Sequence, residues 1–266
     1  MSLDRMLQEA RDGENVVVDD GWDQGRATFG GVVGGILLAR AESVAGDPAR
    51  ELRSAMVSFV APVDPGEVEV GAEVLRAGKG VTQIHATLRQ QGAVAGAMLA
   101  SFGLERSSVL DWESPDAAAP SLTAASAIDP LPYVSGVTPG FFGHVEMRIA
   151  EGTHPFAGAQ TPDLAGWMRF TEPPAEFTTA HLLTLTDCWP PSVLSMLSGP
   201  GAASTLSWTF EPVAPSPPGG DDPRAQWQYE VLTDRCSAGY AHTHARIWDE
   251  HGTLRALSRQ TIAVFS

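Results

Sequence analysis

Asp187 is the residue whose setting asks most plainly for a chemical reason. It interrupts the apolar run "HLLTLTDCWPPSVLSML", His181 to Leu197, and is followed at once by Cys188, Trp189 and two prolines. A carboxylate on a core-facing segment is costly to bury unless it is paired or used. Used, it is a general base, able to take a proton from a water or hydroxyl within hydrogen-bond reach. Otherwise it is a cap: an Asp ahead of a helix opening at Trp189, Pro190 and Pro191 satisfies free first-turn amides, and proline is favoured there. A cap at a helix start would also lower the carboxyl pKa and weaken it as a base. Both readings place Asp187 at the beginning of a helix, and both stay open.

The remaining reactive side chains offer less. Cys188 has no basic neighbour to lower its pKa and reads as a buried structural thiol. His242 and His244 lie two apart on an expected strand and point the same way, but no third ligand follows at a recognisable spacing, so they read as a solvent-facing pair and no metal site is expected. No Gly-x-Ser-x-Gly elbow occurs, which disfavours a Ser-His-Asp hydrolase of the α/β type. The stretch "GGVVGG", Gly30 to Gly35, bares one side of a helix start. Either its amides approach a ligand closely, or the helix packs tightly against a sheet.

These residues need a scaffold, and composition bounds it. The chain has 266 residues, 43% hydrophobic and 18% charged, enough for one large folded domain or two small ones. A net charge of -15, with 17 basic residues scattered among 32 acids, argues against a nucleic-acid partner or an anionic membrane surface. Two cysteines support neither a disulfide framework nor a Cys-rich zinc site. The N-terminal residues carry acids where a signal peptide needs a basic and then an apolar run, and no apolar stretch approaches membrane-spanning length, so a cytoplasmic protein is expected.

Comparing the chain with itself shows a repeated plan. "TFGGVVGGILLARAESV" reads as a helix, and "LRSAMVSFVAPVDPGEVEVGAEVLRAGKGVTQIHATLRQQGAVAGAMLASFGL" as four strands broken at Pro and Gly turns. The second copy begins with "HLLTLTDCWPPSVLSML" and continues through "ASTLSWTFEPV" and a Pro/Gly loop to "LRALSRQTIAVF". Pro62 aligns with Pro212 and the hairpin Gly92 with Gly252. Residues 111–140, rich in Ala, Ser and Pro, have linker composition, which gives an N-terminal unit over 1–110 and a C-terminal unit over 141–266. A long helix wrapped by an antiparallel sheet is the hotdog architecture. Two copies predict an α+β double hotdog, with two helix-wrapped antiparallel sheets forming one continuous structure.

"FGGVVGG", "TDCWPP", "STLSWTFEP" and "LRALSRQTIAV", in that order and spacing over nearly the whole chain, resemble the acyl-CoA thioesterase II type family. The resemblance implies hydrolysis of an acyl-CoA thioester without a covalent intermediate, by a water held between a carboxylate, a hydroxyl and an amide. Matched position by position, these fall on Asp187, Thr205 and Gln260. Thr and Gln offer donors and acceptors that orient a water without competing for its proton. The bare helix start at Gly30 and Gly31 would face the oxyanion. Coenzyme A enters only as part of the substrate, with no separate cofactor, and Arg26, Arg53, Arg76 and Lys79 are candidates for its phosphates. A homo-oligomer is allowed but not required, since two fused hotdogs already supply the pairing that single ones obtain by dimerising.

The repeat tests this assignment. With the prolines and glycines as anchors, Thr205 faces Ala55 and Gln260 faces Ala100, with Gly30 or Gly31 roughly opposite Asp187: polar groups in one copy, small apolar ones in the other. Strand alternation points Gln260 inward with Ala256, Ile262 and Val264. Thr205 fits less well, because its alternate neighbours Ser207, Thr209 and Glu211 are polar, and it also reads as an ordinary strand residue, as Gln260 does as a satisfied core amide. Two alternatives remain: an acyl-CoA or small-ligand binding protein without turnover, and a hydratase or dehydratase, which would need a His partner that Asp187 lacks at helical spacing.

Overall fold

The computed structural model describes residues 2–217 and 219–265. In chain order the helices are α1 (Ser2–Asp12), α2 (Gly30–Ala45) and α3 (Thr179–Thr186). The strands of the N-terminal half are β1 (Asn15–Val18), β2 (Asp23–Gln24), β3 (Ala27–Thr28), β4 (Glu51–Phe59), β5 (Gly66–Ala77), β6 (Val81–Gln90) and β7 (Ala93–Gly103). Those of the C-terminal half are β8 (Val145–Glu151), β9 (Leu164–Phe170), β10 (Ala202–Pro212), β11 (Trp227–Ser237), β12 (Tyr240–Trp248) and β13 (Leu254–Phe265).

Eleven strands form one antiparallel sheet in the order β1-β5-β6-β7-β4-β10-β13-β12-β11-β9-β8. Its centre is the β4–β10 pair, where Met56 sits opposite Thr209. Outward from that seam each half repeats one meander, β4-β7-β6-β5 and β10-β13-β12-β11. This is the double hotdog: two antiparallel half-sheets fused at one seam, each with its own helix. The expected meanders are present. The strands β8 and β9, and the hairpin β2–β3, are further elements that periodicity did not announce.

From Gly31 to Ala39 α2 is apolar all round because it is enclosed there, lying against β4 to β7 on one side and α1 and α3 on the other. Val32, Ile36, Leu37 and Leu38 are fully buried, and each contributes about 1.5–3 kcal/mol relative to exposure. Gly46, at φ 71°, ends the helix by a left-handed cap. α1 docks on α2 through the buried Leu3, Met6, Leu7 and Ala10, an amphipathic seam that also escaped the sequence reading.

α3 is far shorter than the run His181–Leu197 suggested. It ends at Thr186, and after Pro190 and Pro191 only a short 3-10 turn, Ser192–Met196, follows. Proline lacks an N–H to continue the ladder and disfavours helical backbone in the residue before it. The segment 111–140 lies on the C-terminal half rather than hanging between the halves: Trp248 donates to Ala117 O (2.6 Å) and Trp167 to Thr123 O (2.8 Å).

Candidate active site

Asp187 does not cap the start of a helix. It is the residue at the C-terminal end of α3, with helical φ and ψ of -82° and -3°. The prolines that seemed to open a helix instead close one. Its electrostatics reverse accordingly: burial among apolar groups pushes its carboxyl up to about 7, against the downward pull of hydrogen bonds from the Gln260 amide and the Gly31 N–H. One face stays partly open to a cavity of about 310 Å³.

Three candidate residues meet in that cavity. Gln260 Nε2 donates to Asp187 Oδ1 at 2.8 Å, and the Thr205 hydroxyl donates to Gln260 Oε1 at 3.2 Å. Thr205 does not touch the carboxylate; it fixes which way the Gln260 amide faces. Thr205 reaches inward because β10 carries a bulge. The pairing with β13 steps between Thr205 and Ser207, leaving Leu206 as the extra residue. An extra residue inverts the alternation, so Thr205 lies on the same side as the buried Trp208 and Phe210. The polar alternate neighbours that counted against Thr205 lie beyond the bulge and face out.

The bulges also correct the alignment of the halves. β4 steps between Leu52 and Ser54, as β10 does between Thr205 and Ser207, so Thr205 corresponds to Leu52, and Ala55 to Trp208. Pro62 then corresponds to Pro215 rather than Pro212. On the next strands the bulged residues are Ala95 and Arg255, and the fifth residue after each is Ala100 and Gln260, the pairing the hairpin glycines had indicated. α2 and α3 begin at Gly30 and Thr179, so Asp187 corresponds to Leu38, not to a glycine. Leu38, Leu52 and Ala100 are all buried. A smaller cavity of about 120 Å³, walled by Glu51–Arg53, Pro212 and Ala214–Ser216, occupies the equivalent place. It carries no carboxylate, hydroxyl or amide where Asp187, Thr205 and Gln260 stand.

The glycines of α2 divide their work. A methyl group on Gly34 would come within 2.8 Å of Leu183, and Gly31 and Gly35 face the backbone and side chain of Thr184, so these three let α2 and α3 cross closely. The close packing is chiefly helix on helix, and at Gly34 also helix on sheet, where a methyl group would meet the Trp208 ring of β10 at 3.1 Å. Gly30 borders the cavity, and a methyl group there would lie 2.7 Å from Asp187 Oδ2. Gly31 belongs to the site through its N–H, which favours the charged form of the Asp187 carboxyl.

The other candidates lie elsewhere. Cys188 is buried beside Met168 Sδ at 3.9 Å, and burial raises its thiol pKa well above the ordinary value. His244 pairs with Asp234 at 3.1 Å and His242 approaches Thr261, on the half-buried outer side of β12. His181 points away from Asp187: its Nδ1 accepts from the Thr178 N–H and its Nε2 lies 2.9 Å from Asp4. Arg53 donates to Gly103 O and borders the second cavity, while Lys79 sits in the β5–β6 turn beside Arg50, far from Asp187. No helix of the described residues is long and apolar enough to cross a membrane.

Residues 18–103 match the model of the acyl-CoA thioesterase N-terminal domain, and residues 115–264 that of the acyl-CoA thioesterase C-terminal domain. Among solved structures, a conserved hotdog-fold protein of unknown function from Alicyclobacillus acidocaldarius is 20% identical, with a TM-score of 0.84 over 100% of this chain and 98% of that one. The acyl-CoA thioesterase II TesB2 from Mycobacterium marinum is 20% identical, with a TM-score of 0.75 over 98% of both chains. No curated protein matches by sequence.

Proposed function

The chain belongs to the acyl-CoA thioesterase family and is a thioester hydrolase, and we propose that it cleaves acyl-CoA by direct attack of a water held by Asp187, Thr205 and Gln260. The observation that carries this reading is the hydrogen-bonded chain from Thr205 through Gln260 to Asp187 at the wall of the cavity, where burial raises the Asp187 carboxyl to about 7. A base with a pKa of about 7 is about half ionised at neutral pH and strong enough to accept a proton in the transition state.

Asp187 takes one proton from the water as its oxygen bonds to the thioester carbonyl carbon. Gln260, oriented by Thr205 and bonded to Asp187, holds the carboxylate and the water in line. The carbonyl oxygen lies against the first turn of α2 at Gly30, where a first-turn N–H has no intrahelical acceptor. The tetrahedral adduct then expels the coenzyme A sulfur, and the proton on Asp187 passes to it, giving free acid and thiol. No covalent enzyme intermediate and no cofactor enter the scheme.

The test is hydrolysis of a panel of acyl-CoA chain lengths by the wild type, Asp187→Asn and Gln260→Ala. Loss of turnover in both variants supports the scheme. Unchanged turnover in both would remove these residues from it, and tight acyl-CoA binding by a wild type that never turns over would favour a binding protein.

A further inference from the structure

An oxyanion forming on a thioester carbonyl is held best by more than one donor. The first turn of α2 offers the Gly30 N–H at the cavity, while the Gly31 N–H serves the Asp187 carboxyl. A further donor stands just ahead of that turn. Thr28 borders the same cavity and is 6% exposed. Its hydroxyl is buried and has no hydrogen-bond partner, and among the described residues no other such orphaned side-chain atom belongs to a residue that lines this cavity.

Thr28 lies at the base of the β2–β3 hairpin, opposite Asp23 and away from the exposed turn at Gly25 and Arg26. Its backbone is held in place. Thr28 N donates to Val63 O and Phe29 N to Trp22 O, each at 2.7 Å, and the Phe29 ring stacks on Phe141 at 4.2 Å. A buried hydroxyl left unpaired costs stability that a valine of the same shape would not, so the position is paid for by something other than folding. The other half of the molecule shows what folding alone selects there. With α2 and α3 starting at Gly30 and Thr179, Thr28 corresponds to Phe177, an apolar residue bordering the second cavity.

We propose that Thr28 donates its hydroxyl hydrogen to the thioester carbonyl oxygen and, with the Gly30 N–H, makes the pair of donors that holds the oxyanion. The inference rests on the hydrolytic reading of the cavity. As the water oxygen bonds to the carbonyl carbon, an electron pair moves onto the carbonyl oxygen, and a donor whose bond strengthens with that charge lowers the barrier. A turn of the side chain between staggered positions exchanges its hydroxyl and methyl group, so the hydroxyl meets the carbonyl without any movement of the hairpin.

Two analogues of acyl-CoA that cannot be hydrolysed isolate the carbonyl: a ketone, with a methylene group in place of the sulfur, and a thioether, with a methylene group in place of the carbonyl. Each is titrated calorimetrically into wild type, Thr28→Val and Thr28→Ser, beside urea denaturation and acyl-CoA turnover. For Thr28→Val the expected result is a loss of about three- to tenfold in ketone affinity with thioether affinity unchanged, a fall in kcat of about 100-fold, and a denaturation midpoint equal to or above that of the wild type. Thr28→Ser should restore both ketone affinity and turnover. A ratio of ketone to thioether affinity that Thr28→Val leaves unchanged overturns the proposal, as does a lower midpoint with both affinities reduced, which marks a structural hydroxyl. A wild type that never turns over, with ketone affinity still dependent on Thr28, would overturn the hydrolytic reading alone.

Discussion

The Gln260 amide donates to Asp187 Oδ1 across 2.8 Å, joining the last strand of the sheet to the end of a helix that precedes it by more than sixty residues. At the equivalent place in the N-terminal half stand Ala100 and Leu38. A duplicated frame thus carries one polar site and one apolar copy of it: three side chains differ, and α3 ends at Asp187 where α2 runs on past Leu38.

The rate should report the state of Asp187. Its carboxyl is raised to about 7 chiefly by burial, so the basic form is lost as pH falls below that value. We expect kcat/KM to rise with a single apparent pKa near 7 and then level off. A profile already flat from mildly acidic pH would show that another group supplies the base.

The same shift predicts a stability effect of opposite sense. Between the ordinary Asp value of 3.8 and about 7, the folded state holds a proton that the unfolded chain releases, so stability falls as pH rises through that window and stays lower above it. Asp187→Asn keeps an acceptor for Gln260 and buries no charge. Its advantage over the wild type should be absent near pH 4 and reach roughly 1–3 kcal/mol above pH 7, allowing for the open face of the carboxylate. Urea denaturation at acid and alkaline pH checks this; an Asn variant less stable than wild type at both would contradict it.

Thr205 acts through Gln260, so its removal should depend on whether Gln260 is present. Thr205→Val deletes the hydroxyl that holds Oε1 and frees the amide to turn. The expected fall in kcat is about 10-fold to 100-fold, with Thr205→Ser close to wild type. Added to Gln260→Ala, the same substitution should cost little more, and full additivity in that cycle would separate the two residues.

How far this was legible depended on which signals survive in a linear chain. Gln260 was readable because Gly92 and Gly252 mark equivalent hairpins and the strands after them keep their count to Ala100 and Gln260. The partner of Thr205 was displaced by three residues, because Pro62 and Pro212 look like a matched pair while the bulges at Arg53 and Leu206 fix the true register. Bulges leave no strong composition mark. The reversal at Asp187 has a similar cause: proline is favoured in the first turn of a helix and also follows its end, and local sequence does not say on which side the helix lies. The β2–β3 hairpin was overlooked for want of length and periodicity, whereas α1 carries a clear helical period at Leu3, Met6, Leu7 and Ala10 that was passed over beneath its many charged residues.

Gly30 and Gly31 are neighbours with the same side chain and different duties, so alanine should separate them. At Gly30 the new methyl group would lie 2.7 Å from Asp187 Oδ2 and 3.2 Å from the Phe59 ring, both of them side chains that can yield. Helix propensity favours alanine by roughly 0.5–1 kcal/mol, offsetting part of the strain, so the fold should survive. Moving the base is less forgivable: a displacement near 1 Å costs on the order of 100-fold in rate. At Gly31 the methyl group meets the backbone carbonyl of Thr184, which cannot swing aside, so α2 and α3 must part. Gly30→Ala should therefore keep its denaturation midpoint and lose kcat/KM, whereas Gly31→Ala should lose both. Wild-type activity in Gly30→Ala would mean that the water is not activated in the space between Gly30 and Asp187.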